Sequence, residues 1–258
     1  MALVTGSVAR GLDDEASDLD IHLYWERADS TDTTALADPD RFTPAGATRA
    51  FGVPTAGGWF SKLRLDGRFV DVEDVDVSML SRAVNALDGE QAPPGWAVKV
   101  AVGMRDAMAV LGRAELASWQ HRLAYGGAAA TAEAAARLPR LLGPTALYEL
   151  TYARRDVLGF AARLSNLLLD VVAVLGAVNR RFIPVDEPKW LPWHLAQLTH
   201  VPPELDDRIR AALTAPSPDT MGALDATVTE TLDLVEGHIP GADTRAARFA
   251  VRLRPRPG

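Results

Sequence analysis

Val4-Thr5-Gly6-Ser7-Val8-Ala9-Arg10-Gly11, followed by Ser17-Asp18-Leu19-Asp20-Ile21, is the stretch on which the fold of this chain turns. A short apolar run enters a Gly-Ser turn, and after a spacer of ten residues two aspartates stand among apolar neighbours. Glycine at the apex of a turn lets backbone N–H groups approach a phosphate with no side chain in the way. Aspartates two apart on a strand point to the same side. Side by side they repel each other unless a divalent cation lies between them, and hard carboxylate oxygens suit Mg²⁺. The blander possibility is a solvated acidic turn beside Ser17. It fits poorly with Leu19 and Ile21, which place the pair at a buried strand where unpaired carboxylates are costly.

Outward from this stretch, residues 2–5 read as a strand buried on both sides. Residues 7–12 read as a short helix whose first amides face the phosphates. Residues 19–25 alternate, so Asp18, Asp20, His22 and Tyr24 share one face and Leu19, Ile21 and Leu23 the other. Residues 28–50, rich in Thr, Asp, Ala and Pro, read as a loop with a short helix, and Gly57-Gly58 punctuates a return to strand. Residues 60–65 and 68–73 form a hairpin turned by Asp66-Gly67. Asp74 and Asp76 extend its acidic run as solvated groups, and His22 is a neighbour of the pocket rather than a metal ligand, since the histidines lack metal spacing. Residues 79–87 are helical, and the Pro- and Gly-rich stretch 88–95 marks a domain boundary.

From Trp96 onward the periodicity is helical in residues 98–111, 114–125, 128–142, 147–177, 190–198, 204–213 and 221–236. Pro144, Pro184, Pro188 and Pro202-Pro203 punctuate them. The long apolar stretch 147–177 predicts the central helix of a bundle. Arg155, Asp156 and Arg163 lie on it, either lining an acceptor pocket or forming a structural ion pair. The basic tail, 245–258, reads as a strand or loose segment. The predicted class is therefore α+β: a domain of residues 1–92 with a small mixed sheet flanked by helices, then an all-α bundle of residues 93–258.

Composition narrows the function. With 258 residues, 48% of them apolar and 24% charged, the chain is an ordinary globular protein with room for one large domain or two modest ones. The absence of cysteine excludes disulfides and thiolate metal sites, and fits a reducing, cytoplasmic setting. No basic segment followed by an apolar core opens the chain, so no signal peptide is expected. The most apolar run, 167–178, contains Asp170 and is shorter than the roughly 20 residues of a membrane span. A net charge of −7 argues against a broad DNA or RNA surface.

Gly6-Ser7, ten intervening residues and Asp18-Leu19-Asp20-Ile21 resemble the signature of the polymerase-β-type nucleotidyltransferase superfamily: Gly-(Gly/Ser), a spacer of that length, then Asp-apolar-(Asp/Glu)-apolar. The fuller form, Gly6-Ser7-x-Ala9-Arg10-Gly11 with Ser17-Asp18-x-Asp20, resembles the small bacterial branch that includes aminoglycoside- and lincosamide-type antibiotic nucleotidyltransferases. The two motifs joined at a constrained distance are far more specific than either alone. The helix that precedes the first strand in this superfamily has no room here; either the chain is trimmed there or another element covers that flank.

The resemblance implies two Mg²⁺ ions held by Asp18, Asp20 and a third carboxylate on a neighbouring strand. Asp71 and Glu73 both qualify; Asp71, between Val70 and Val72, matches the apolar-acid-apolar pattern better, and the one that is not a ligand is available as general base. Gly6, Ser7 and the turn amides would take the terminal phosphates. Arg10 would assist with its fork, or else cap the helix or pair with Asp13 or Asp14. Asn179-Arg180-Arg181-Phe182 with Lys189-Trp190 is similar to a segment of an uncharacterised bacterial group in which the lysine reaches the phosphates from a second domain closing the cleft. The activity implied is transfer of a nucleoside monophosphate, AMP from ATP first among them, to a hydroxyl of a small molecule such as an antibiotic or metabolite, with release of pyrophosphate. A homodimer is a compatible assembly. Two other classes carry the same motif: antitoxin-like adenylyltransferases that modify a protein, and inactive nucleotide-binding modules. The helical half lacks an Arg-x4–6-His ribonuclease motif.

Overall fold

The computed structural model describes residues 1–26, 43, 45–55, 58–89 and 91–253. Contacts group Met1–Ala86 with Lys99–Ala124 as one unit and Leu87–Val98 with Tyr125–Gly258 as another. The chain thus passes from one unit to the other more than once, where the sequence suggested a single boundary after residue 92.

The first unit is built on a six-stranded mixed sheet with the order β3-β4-β5-β2-β1-β6. Its strands are β1 (Ala2–Val4), β2 (Leu19–Trp25), β3 (Thr48–Thr55), β4 (Gly58–Leu65), β5 (Arg68–Asp76) and β6 (Met108–Leu111). Helices α1 (Gly6–Arg10), α2 (Ser78–Leu87), α3 (Gly95–Asp106, which runs across the division between units) and α4 (Arg113–Arg122) join them. Only the β2–β5 pair is parallel, with Asp20 opposite Asp71 and His22 opposite Glu73. The β4–β5 hairpin turns at Asp66 and Gly67, both at positive φ (48° and 82°), as a two-residue turn matched to strand twist requires. Leu63, Val70 and Val72 form a small core against Leu19, Ile21, Leu23 and Leu65, which leaves the opposite face of β2, β5 and β4 to the charged residues. One strip of sequence thereby makes both a core face and a polar face.

Two strands depart from expectation. Thr48–Thr55 is a strand, so the end of the predicted loop 28–50 is extended; residues 27–42 and 44 lie outside the described part. Gly52 and Pro54 weaken its pattern, a combination tolerated at a sheet edge. The predicted helix 98–111 stops at Asp106, and Met108–Leu111 becomes β6, paired antiparallel with β1. β6 thereby lies beside β1 as an edge strand of the sheet.

The second unit is helical from Tyr125 on: α5 (Gly127–Arg137), α6 (Pro144–Leu150), α7 (Val157–Val178), α8 (Leu191–Leu195), α9 (Leu205–Thr214), α10 (Pro218–His238) and α11 (Arg245–Arg252). α7 packs against α5, α6 and α10, with Leu164, Val174 and Leu175 at the centre. At 22 residues and a mean hydropathy of 1.7 it is long and apolar enough to cross a membrane, but half of its most apolar window is buried inside this bundle.

The predicted helix 147–177 is broken at residues 151–156. Thr151 Oγ1 donates back to Leu147 O at 2.6 Å, Arg155 is left-handed (φ 69°), and Asp156 caps α7 by accepting from Gly159 N at 2.9 Å. Arg155 and Asp156 therefore belong to a helix junction, and Arg163 is exposed. The tail is also corrected: α11 covers residues 245–252, with Arg248 pairing with Glu236 at 2.8 Å. The α+β class holds.

Candidate active site

The Gly6 turn and the end of β2 are bound together. Thr5 N donates to Asp20 O at 3.0 Å, and Gly6 adopts a φ of +67°. A Cβ built on Gly6 would lie 1.7 Å from Asp20 Oδ2, so the carboxylate rests directly over the glycine. No other residue fits there. Ser7 is buried at the start of α1, which is only five residues long and closes on Gly11 in the left-handed region. Arg10 reaches back from α1 to the end of α3. Its Nε donates to Asp106 at 2.9 Å, and burial of that carboxylate is outweighed by Arg105 and Arg10, which hold it below the usual range.

Asp20, Asp71 and Lys62 occupy one row across β2, β5 and β4, because Asp20 pairs with Asp71 and Asp71 with Lys62. Lys62 Nζ lies 2.5 Å from Asp18 Oδ2 and 2.9 Å from Asp71 Oδ1. Burial disfavours this ammonium, yet its bonds to the two aspartates prevail and raise its pKa. The next row is Phe60, Glu73 and His22. His22 Nε2 is 3.5 Å from Glu73 Oε2, and Nδ1 is 3.4 Å from Tyr24 Oη. Burial lowers the His22 pKa against the pull of Glu73 and Asp20, and burial followed by Glu73 raises that of Tyr24.

Geometry thus groups Asp71 with Asp18 and Asp20, and sets Glu73 one step along with His22. Asp74 is not solvated: it faces the apolar side and is 3% exposed, with its carboxylate taking the Trp25 indole N–H. Asp76 accepts from Ser78 N at 2.7 Å at the start of α2.

The donor types of Asp18, just before β2, Asp20 on β2 and Asp71 on β5 suit Mg²⁺. Among the described residues no three His, Asp or Glu side chains close on one point, and the Lys62 ammonium stands between two of these three. Sequence reasoning missed Lys62. Counting outward from the Asp66-Gly67 turn pairs Leu65 with Arg68 and, three steps on, Lys62 with Asp71, so hairpin register was the available signal.

In the second unit, Asn179 closes α7. Its side chain donates to Leu175 O and His200 O and accepts from Thr199 N and His200 N, all at 2.8 Å. Arg180 donates to Gly127 O at 3.2 Å, and Lys189 is exposed. Arg137 joins Glu133 (2.9 Å), Asp170 (3.0 Å) and Asp186 (3.8 Å) beside a small cleft that Tyr125 and Phe182 also line.

No protein-family model matches the chain, and no curated protein matches it. Among solved structures, a nucleotidyltransferase-like protein from Exiguobacterium sibiricum 255-15 aligns over 92% of this chain and 68% of its own, at 10% identity and a TM-score of 0.41. A likeness of that degree decides neither fold nor chemistry; the chain's own residues carry the functional assignment.

Proposed function

We propose that this protein is a Mg²⁺-dependent nucleotidyltransferase that moves a nucleoside monophosphate, AMP from ATP first among them, onto a hydroxyl of a small molecule. The observation that carries this is the Asp20 carboxylate lying over the Gly6 turn, in one row with Asp71 and with Asp18 drawn to Asp71 through Lys62. A glycine turn with a group of carboxylates beside it is the combination of groups that a metal-bound triphosphate calls for. Asp18, Asp20 and Asp71 would hold the metal, which when bound would polarise the phosphates and stabilise the leaving pyrophosphate.

The chain's own groups do the rest. Gly6 and buried Ser7 position the phosphates, and Glu73 takes the proton of the acceptor hydroxyl. The acceptor oxygen bonds to the α-phosphorus, the bond to the bridging oxygen breaks, and pyrophosphate departs with that electron pair. The test is pyrophosphate release from ATP, GTP, CTP and UTP with Mg²⁺ and a panel of hydroxylated small molecules. Asp18→Asn and Asp20→Asn should each lower turnover by about 10³-fold or more while the circular dichroism stays unchanged. Undiminished turnover in both variants would sink the assignment.

A further inference from the structure

Two carboxylates brought close repel each other unless a proton or a cation is shared between them. Here a cation that is covalently part of the chain stands between Asp18, just before β2, and Asp71 of β5. Lys62 Nζ touches Asp18 Oδ2 at 2.5 Å and Asp71 Oδ1 at 2.9 Å. Its backbone is fixed by pairing with Asp71, and its ammonium lies 5.2 Å from the centroid of the Phe69 ring, which Arg64 also approaches at 5.8 Å. The side chains of Lys62, Asp18 and Asp71 are 22%, 35% and 18% exposed, so solvent reaches Lys62 and Asp18, while Asp71 Oδ1 itself is buried. A lysine holds its partners as a point charge on a flexible stem, without the planar fork by which arginine locks two oxygens. It can leave by rotating its stem, with the strands unmoved. Asp20 and Glu73 stand on the same face, Asp20 directly across from Asp71 and Glu73 across from His22.

We propose that Lys62 is an exchangeable counter-cation: it holds Asp18 and Asp71 together until a divalent cation takes them, and the two compete for the same oxygens. This rests on the metal-dependent reading above and adds a residue that sets the metal affinity. Lys62→Met keeps the length of the stem and removes the charge, so the divalent ion no longer has to displace an ammonium.

The experiment uses the full chain, with Mn²⁺ alone as probe and free Mn²⁺ read by electron paramagnetic resonance. Lys62→Met should bind Mn²⁺ on the order of tenfold more tightly than the unaltered protein, a difference of about 1.4 kcal/mol. After chelator treatment it should melt below the unaltered protein, and Mn²⁺ should raise its Tm by the larger amount. A second measurement needs no variant. In the unaltered protein, Mg²⁺ should increase labelling of Lys62 by an amine-reactive reagent, read by mass spectrometry.

Equal or weaker Mn²⁺ binding by folded Lys62→Met, or labelling of Lys62 that Mg²⁺ leaves unchanged, would overturn the proposal. If Asp18→Asn still abolishes Mn²⁺ binding in that case, the metal-dependent reading survives alone. Absence of Mn²⁺ binding to every form, with unchanged labelling, would overturn both.

Discussion

The two units each contain a buried or half-buried knot of charge, and the knots are built on opposite principles. In the first, a single lysine stands between Asp18 and Asp71, with Asp20 and Glu73 on the same face. In the second, Arg137 grips Glu133 and Asp170 through separate nitrogens, and Arg140 adds a contact to Asp170 at 3.1 Å. Asp170 and Glu133 are 3% and 8% exposed, so these charges are held away from water by rigid forks. The arginine knot is closed and serves the packing of α5 on α7. The lysine knot is partly exposed, at Lys62 and Asp18, and lies beside the carboxylate that covers the Gly6 turn. Similar residue types thus give a fastening in one place and a receptive site in the other, and the difference lies in fork against point charge and in exposure.

Removing the cation from each knot should separate them most sharply. Arg137→Met strands Glu133 in the bundle and should cost the second unit about 3–5 kcal/mol, measured by chemical denaturation. Lys62→Met should cost only about 1 kcal/mol or less without metal, because exposed pairs are screened. Equal losses would erase the distinction. Next in size is Gly6→Ala. Its methyl group would enter the space of Asp20 Oδ2, and φ of +67° adds strain of about 1–2 kcal/mol for an L side chain. Displacing Asp20 by about 1 Å should lower nucleotidyl transfer roughly 10²-fold in a pyrophosphate assay, with the second unit's denaturation unchanged.

How much of this was legible from residues follows the range of the interactions. The Gly6-Ser7 turn and the polar face of β2 that Asp20 begins were legible because turn chemistry and strand alternation are local. Asp66-Gly67 declared the hairpin for the same reason. β6 was hidden because four apolar residues, 108–111, continue a helical pattern as readily as they start a strand, and its pairing with β1 joins residues about a hundred positions apart. The junction at Thr151–Asp156 was hidden because hydrophobic periodicity passes over it; the cap at Asp156 and the left-handed Arg155 decide it instead. Lys62 lay between these extremes. The hairpin that carries it was legible, and only the register places it opposite Asp71.

The smallest expected effect tests whether the arginine knot is fully compensated. Burial pushes the Glu133 carboxyl above its usual pKa of 4.5; Arg137 pulls the other way, and Asp186 and Asp170 add to the rise. Between the ordinary value and the raised one, the folded state binds more protons than the unfolded state, so stability falls as pH rises through that window. Glu133→Gln removes this titration. Its stability relative to the unaltered protein should therefore improve as pH rises from about 4.5 towards neutrality. The shift should be a modest fraction of the Arg137→Met loss, because the guanidinium stays paired with Asp170 in the variant. Denaturation midpoints of both proteins at pH 4.5 and pH 7.5 measure it. A difference that does not change with pH would mean that Arg137 neutralises Glu133 completely.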